Sequence, residues 1–551
     1  MAPLPKLHLR PSRSVKFLDI PFSFSLRRGI ISDDRDKVSE RGKRFLHLNF
    51  QGGYILSKKK LLSTIRIGHR VAEDEKNELA NYFVKTSQWN KLANGEIDII
   101  YGAKGTGKSA LYSLLTNNAA EFLDRKILLV PAENPLGASA FQGLIDDNAG
   151  SEVDLNYIWK LYILQLISAE LRKASIASGV ASKLIAALEL AGLLPKSFTL
   201  ASLFARAKNY IQSFADNNPT DVEYTIGLDP ISGVPTATRK ASYGTSDTKA
   251  RLSSVPVNDL LSFANEGLAE ISLQVWLLFD RLDVSFSSSP DLERSALRAL
   301  FRVYADLKPL ENIKAKIFVR KDIWDRITEG GFREASHIVK TDTIEWDRDG
   351  LLNLVVNRLL NNQALIDYLK VTKDEVASDA SKQEIIIKRI LPDKVDTGKN
   401  PDAFDWIISR VQDGTQKTAP REVIHMLECL ISNQVKKLEQ GKPEPEAEVL
   451  FDRAVFKESL ATVSAVRYSQ TFCAEYPDLK KYTELLKNEK AEQKVDTLAR
   501  IWGEPLDVTQ SLVDKLVGAG FFEARNEKNV ATYWAPFLYR DALDLVQGKA
   551  I

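Results

Sequence analysis

Residues Ile97–Leu115 read IDIIYGAKGTGKSALYSLL. The opening Ile97-Asp98-Ile99-Ile100-Tyr101 is a short, mostly apolar run suited to a buried parallel strand. Gly102-Ala103-Lys104-Gly105-Thr106-Gly107-Lys108-Ser109 follows at once and fits G-x-x-x-x-G-K-[ST]. Ala110–Phe122 then reads as a helix. This order of strand, glycine loop and helix has a chemical meaning. Glycines let backbone N–H groups wrap phosphates, and the helix opening near Lys108 points its positive end at them. Lys108 is expected to reach the β- and γ-phosphates, and the Ser109 hydroxyl to ligate Mg²⁺. The stretch predicts an α/β domain built around a P-loop, with residues 102–110 as the binding set.

Working outward, Lys126–Pro131 (KILLVP), Val275–Phe279 and Lys316–Val319 are further buried strands, and Leu292–Leu307 is a helix between two of them. Strands alternating with helices predict a parallel sheet and a three-layer core. Upstream, Ala72–Leu92 carries helical spacing that ends at Asn94-Gly95. Tyr157–Leu194 is strongly helical. Ala215–Pro256 is rich in Gly, Pro, Ser and Thr and reads as a long loop with a hairpin. Helix resumes at Val257–Ile271. The core is thus expected over 67–345, with a helical insertion at about 151–256.

Residues 346–440 read as a helical lid, interrupted by a polar stretch near Asp393–Asp402. Gln440–Glu448 (QGKPEPEAE) has linker composition. Residues 451–551 then read as a separate α+β unit. A helix at Val508–Leu516 precedes a strand starting near Phe521, a polar turn at Asn526–Asn529, a strand at Ala531–Ala535 and a closing helix at Leu538–Val546. That order predicts a winged helix.

The 551 residues are 44% hydrophobic and 27% charged, an ordinary globular balance spread over two or three domains. The net charge of +2 supplies no global field for nucleic acid or membrane. Two cysteines, Cys429 and Cys473, exclude a disulfide scaffold, and five scattered histidines show no ligand spacing. No apolar run is long enough to span a membrane, so a cytoplasmic location is expected. Residues 1–66 stand apart. Through Arg70 there are sixteen Lys or Arg against five Asp or Glu. We read 1–66 as a basic, disordered extension, or as sequence upstream of the true start.

Beyond the loop, Val275–Asp283 (VWLLFDRLD) delivers Asp280 to the carboxyl end of a strand, where it would hold Mg²⁺. The alternative is an ordinary acidic turn. Asp283 would orient the attacking water, or else cap a helix or pair with Arg281. Glu133, just past the second strand, is the rival for that water. Arg320 ends KIFVR where a γ-phosphate sensor would sit, unless it pairs with Asp322 or Asp325. Arg421 opens the helix REVIHMLECLI and would reach back from the lid to the nucleotide, or face solvent. Arg298, Arg302 and Arg333 are candidate fingers toward a neighbouring subunit, each with an ordinary ion pair as its alternative. No N-K-x-D signature follows the sensor strand, which favours ATP over GTP. In the last hundred residues acidic and basic groups balance, which disfavours DNA as a partner.

With the P-loop, DRLD, KIFVRKDI and Pro420-Arg421 in order, the chain resembles the STAND and origin-recognition branch of AAA-like P-loop ATPases. The likeness extends to a bacterial group of P-loop ATPases in Ile97–Leu115, VWLLFDRLDVSF and GFREASHI. It implies Walker A roles for Lys108 and Ser109 and a Walker B role for Asp280. It also implies a sensor arginine at Arg320 and a lid arginine at Arg421. One position departs: Arg281 stands where such enzymes commonly carry Glu. That departure implies slow hydrolysis and favours a switch. Related STAND and KAP-type ATPases are frequent in bacterial anti-phage defence, so the resemblance implies an ATPase switch that oligomerises or engages a protein partner in bacterial signalling or defence. A DNA-associated ATPase of initiator or loader type is the alternative.

Overall fold

The structure, a computed structural model, describes residues 57–549 apart from 71–78, 80–82, 85, 134–140, 142–150, 175–178, 213–221, 228–236, 242–253, 283–289 and 528–529. Most of the basic extension, much of the helix expected over Ala72–Leu92 and part of the turn at Asn526–Asn529 lie outside the described residues.

The core sheet is built from β1 (Ile99–Gly102), β2 (Ile127–Pro131), β6 (Gln274–Phe279), β7 (Ile313–Arg320) and β8 (Thr341–Thr343). Their order is β2-β6-β7-β1-β8, and every pairing is parallel. Successive side chains in a strand point to opposite faces, so a strand buried on both faces is apolar throughout. Val275, Leu277 and Phe279 of β6 join one apolar cluster, while Trp276 and Leu278 join another. In β1, Ile99 and Tyr101 face the first cluster and Ile100 the second. The two clusters are the two interfaces of a three-layer α/β core.

One layer contains the helices Ser87–Ala93 and Lys108–Asn117. The other contains Glu152–Lys173, Val257–Glu270 and Pro290–Leu307. The helical pattern expected over Tyr157–Leu194 divides into Glu152–Lys173 and Gly179–Leu190. Ser151 and Asp154 form a capping box that starts the first of these. This helix is packed into the α/β core. Its Trp159 Nε1 donates to the Ala296 carbonyl at 2.9 Å and its Tyr162 hydroxyl to that of Ala132 at 2.7 Å. The peripheral part is a small antiparallel sheet formed by β3 (Val222–Gly227), β4 (Ala237–Ala241) and β5 (Ser254–Pro256).

The lid comprises Arg348–Leu359, Gln363–Leu369, Lys373–Ala377, Ala380–Ile390, Ala403–Arg410 and Pro420–Glu439. Pro420 occupies the first turn of the last helix, where its missing N–H costs nothing. Residues 440–452 hold no regular element, yet the apolar residues on either side share one core. Leu427 and Leu430 of the lid lie in the same cluster as Phe456, Phe521 and Tyr539. Leu61, Leu62 and Ile65 belong to it too, because Lys58–Thr64 is a helix packed on Pro420–Glu439. This helix falls within the stretch 1–66 read as a basic extension.

The C-terminal unit is winged-helix-like. The helices Val495–Trp502 and Leu506–Gly518 precede the hairpin of β10 (Glu523–Glu527) and β11 (Val530–Trp534). β11 also pairs with β9 (Lys490–Gln493). The closing helix expected at Leu538–Val546 forms only as far as Leu543, as an α turn that tightens into a 3-10 turn over Asp541–Leu543. Phe537–Arg540 makes one turn, Asp544 turns the chain at φ 51°, and β12 (Val546–Lys549) pairs in parallel with β9. The backbone groups of β9 outcompete continued helix there.

Candidate functional site

The P-loop leaves β1 at Gly102 and enters the helix Lys108–Asn117 through Gly107, whose φ is 102°. Gly105 also lies in the left-handed region, at φ 82°. A Cβ on Gly102 would fall 2.4 Å from Thr106 Oγ1, so a side chain there would displace that hydroxyl. Thr106 Oγ1 donates to the Ala103 carbonyl at 2.8 Å. Lys108 Nζ folds back across the loop and donates to the carbonyls of Gly102 and Ala103, both at 2.9 Å. The loop is thus a preformed ring of backbone with an ammonium held over it.

Neighbouring strands bring the remaining groups. Asp280 follows β6 directly and is 5% exposed. The next residue, Arg281, has a φ of 56°, an uncommon conformation for a residue other than glycine and one that clusters at functional sites. Glu133 lies two residues past β2 and is 2% exposed. Tyr112, on the P-loop helix, donates to the Glu133 carbonyl at 3.4 Å. Burial, then the charges of Asp280 and Glu133, push the Tyr112 phenol above its ordinary range. Both carboxylates therefore act on one buried hydroxyl.

Arg320 ends β7, the strand between β1 and β6. Its guanidinium grips Asp322 through Nε at 3.0 Å and Nη2 at 2.8 Å. Nη2 also donates to Glu475 Oε2 at 2.8 Å. The paired alternative weighed for Arg320 is what forms, and one partner comes from far along the chain. Burial raises the Asp322 carboxyl, but Arg320 more than offsets it and holds the group below its ordinary range.

From the lid, Arg421 packs onto the loop: a Cβ on Gly105 would lie 3.1 Å from Arg421 Cβ. Arg421 Nε is buried and finds no hydrogen-bond partner among the described residues. An unsatisfied buried donor at a phosphate loop suits an anionic ligand. Lys104, Lys108, Ser109, Asp280, Arg320 and Arg421 line one cleft of about 200 Å³. The turn before Arg421 is pinned to the wing, since Gly414 N donates to the Gly520 carbonyl at 2.7 Å. A Cβ at Gly414 would meet the Phe522 carbonyl oxygen at 2.3 Å, so only glycine allows that approach.

Other expected residues fall elsewhere. Arg298 caps the carbonyls of Ile327, Glu329 and Gly331, and Arg302 pairs with Glu152 and Glu334. Both are engaged within the chain. Asp283 lies outside the described residues. Two features escaped the sequence reading. One is Glu475. The other is a largely apolar chamber beside the loop, lined by Phe83, Ile344, Trp346, Leu354 and Ile424 and sharing Gly105, Gly107 and Arg421 with the cleft. Trp346 Nε1 closes its edge by donating to the Thr106 carbonyl at 2.8 Å. Nothing in sequence separates such residues from ordinary core.

The chain matches no protein-family model and no curated protein sequence. Among solved structures it is similar to the Aeropyrum pernix ORC2 protein, described as ADPNP–ADP complexes, at 12% identity and a TM-score of 0.28. That similarity spans 87% of this chain and 95% of the other. A likeness at that score carries no weight for function, and the α/β architecture stands on this chain's own strand order. No helix among the described residues is long and apolar enough to cross a membrane. Nor does any group of three or more His, Cys, Asp or Glu side chains among them suit a metal by itself.

Proposed function

We propose that the protein binds Mg²⁺-ATP in the cleft at the P-loop, hydrolyses it slowly, and uses the nucleotide state to set the position of the lid and C-terminal unit. One observation carries this reading. Lys108, Ser109, Asp280, Arg320 and Arg421, from four separate segments, line a single cleft beside a loop whose left-handed turns fall on Gly105 and Gly107. Loop amides and Lys108 hold the β- and γ-phosphates, and Arg320 and Arg421 face the terminal phosphate. Ser109 and Asp280 are the groups that would hold Mg²⁺. A cation of this kind needs only one or two protein oxygens when phosphates and water supply the rest. The chamber lined by Phe83 and Trp346 takes the base.

Arg281 stands where a carboxylate would activate water, so the attacking water falls to Asp283 or to its rival Glu133, which lies beside Tyr112. A base displaced from the usual position makes turnover slow, which suits a switch. The partner is a second copy or another protein, and the place in bacterial signalling or defence rests on the sequence resemblance alone.

Isothermal titration tests the reading. Lys108→Ala should weaken ATP binding by roughly a hundredfold or more, for loss of a charge-assisted phosphate contact in a water-poor site, with the fold retained. Unchanged affinity in that variant would remove the P-loop assignment.

A further inference from the structure

The segment that follows the helix Arg453–Val466 continues through a π-helical turn, Arg467–Phe472, into Cys473–Glu475. Single π turns inside helices are rare and concentrate at functional sites. The two ends of this one are tied differently. At its start Arg467, largely shielded from water, pairs with Glu422 at 2.8 Å, next in the chain to Arg421. Three residues past its far end the Glu475 carboxylate accepts from Arg320 Nη2 at 2.8 Å and pairs with Lys104 Nζ. Lys104 and Arg320 both line the triphosphate cleft. The Glu475 side chain is 13% exposed and that of Arg320 14%, so their attraction is little screened.

We propose that Glu475 is a latch released by triphosphate: its carboxylate holds the C-terminal segment on Lys104 and Arg320 until a γ-phosphate takes those two cations. The inference rests on the reading of the cleft as a nucleotide site and adds what reports its occupancy. Glu475 brings one negative charge and two oxygens to the cations. A γ-phosphate brings a larger charge and three oxygens to the same place, and Arg320 cannot satisfy both in full. A diphosphate lies within the loop and lacks the group that competes. The triphosphate state alone therefore frees Glu475. Arg467, held by Glu422, is the fixed end about which the π turn moves.

The chain supplies its own reporter. Cys473 is half-buried two residues from Glu475, and Cys429 is the only other cysteine. In a Cys429→Ser protein, the reaction of Cys473 with a chromogenic disulfide measures release of the segment. With Mg²⁺ and ATPγS the rate should rise roughly fivefold to tenfold, the range expected when a charge-assisted contact is lost, and with ADP it should stay at the nucleotide-free value. Glu475→Gln should react at the fast rate under all three conditions. By titration calorimetry it should also bind ATPγS about tenfold more tightly than the parent, with ADP affinity unchanged.

Equal effects of ADP and ATPγS on Cys473 would overturn the latch, as would a Glu475→Gln protein matching its parent in both rate and affinity. If that variant does not fold, the contrast between the two nucleotides in the parent decides alone. Nucleotide binding with an unresponsive Cys473 sinks the latch and spares the ATP site. Failure of the parent and the variant to bind either nucleotide removes both readings.

Discussion

Lys316 and Arg320 lie four residues apart on strand β7, and the protein holds these two cations in opposite ways. Lys316 sits mid-strand with no exposed surface. Its Nζ donates to the Ile97 carbonyl at 2.7 Å and to Asp98 Oδ1 at 2.8 Å, and lies 4.1 Å from the centre of the Trp276 ring. Tyr304 donates to the other oxygen of Asp98 at 3.1 Å. Every one of these partners belongs to the α/β core. Burial pushes the Lys316 ammonium below its ordinary range while Asp98 pulls the other way. Arg320, at the strand's end, shares its charge between Asp322 nearby and Glu475 of the C-terminal unit. A cation whose counter-ions are all local and sealed is part of the scaffold. One whose counter-ion is lent by another part of the chain can exchange it.

The largest expected effect falls on the sealed pair. Lys316→Met leaves Asp98 buried with a hydroxyl but no cation, and breaking a buried pair from one side costs about 3–5 kcal/mol. Chemical denaturation should show that loss. Replacing both members, Lys316→Met with Asp98→Asn, should recover most of it, because the uncompensated charge is gone. Nucleotide affinity of whatever remains folded should match the parent. A loss below about 1 kcal/mol for the single variant would mean that water reaches the pair and that the contrast with Arg320 is one of degree.

How far this arrangement was legible depends on the range of the contacts. The parallel strands and the P-loop were readable because their signals are local: an apolar run, glycines at fixed offsets, a helix after them. Their outcome is β1, Gly105, Gly107 and the helix from Lys108. The shared core of the lid and C-terminal unit was hidden by QGKPEPEAE. That composition describes a solvated connector and says nothing of Phe456 and Leu427 meeting around it. The closing helix stops at Leu543, short of Val546, because helical spacing does not reveal the backbone edge of β9 that takes up the following residues. Arg320 was marked as a candidate from the end of its strand, with Asp322 as a local partner. Glu475 lies 155 residues away, and only the tertiary fold brings it there.

Arg320→Gln sharpens the comparison at the exchangeable end. Glu475 keeps Lys104, and Asp322 is partly exposed to water, so the stability cost should be only about 1 kcal/mol, that of a partly solvated pair. The functional cost should be greater. Losing a cation aimed at the transferred phosphoryl group lowers hydrolysis by about 10²-fold, read from single-turnover phosphate release. Lys316→Met and Arg320→Gln should thus give mirror-image profiles, one losing stability with binding intact and the other losing turnover with the fold intact. If Arg320→Gln destabilised the protein as much as Lys316→Met, its contacts would be scaffold, and the exchange argument would fail.

Salt gives the smallest effect and separates the two ends without any mutation. The Lys316–Asp98 pair is 0% and 7% exposed at its side chains, whereas Lys104 is 32% exposed. At about 0.5 M salt the screening length falls to roughly 4 Å, which weakens contacts that water can reach and leaves sealed ones nearly unchanged. In the Cys429→Ser protein without nucleotide, Cys473 should then react about twofold faster than at low salt, since the Lys104 half of the Glu475 contact is screened. The response should be lost in Glu475→Gln, which has no carboxylate to release. Sodium chloride is the right probe, because sulfate also strengthens apolar burial and would mask a change this small. A salt response equal in Glu475→Gln and its parent would show that the segment is held by its apolar contacts, with Phe472 against Phe521 and Tyr539 outweighing the charges.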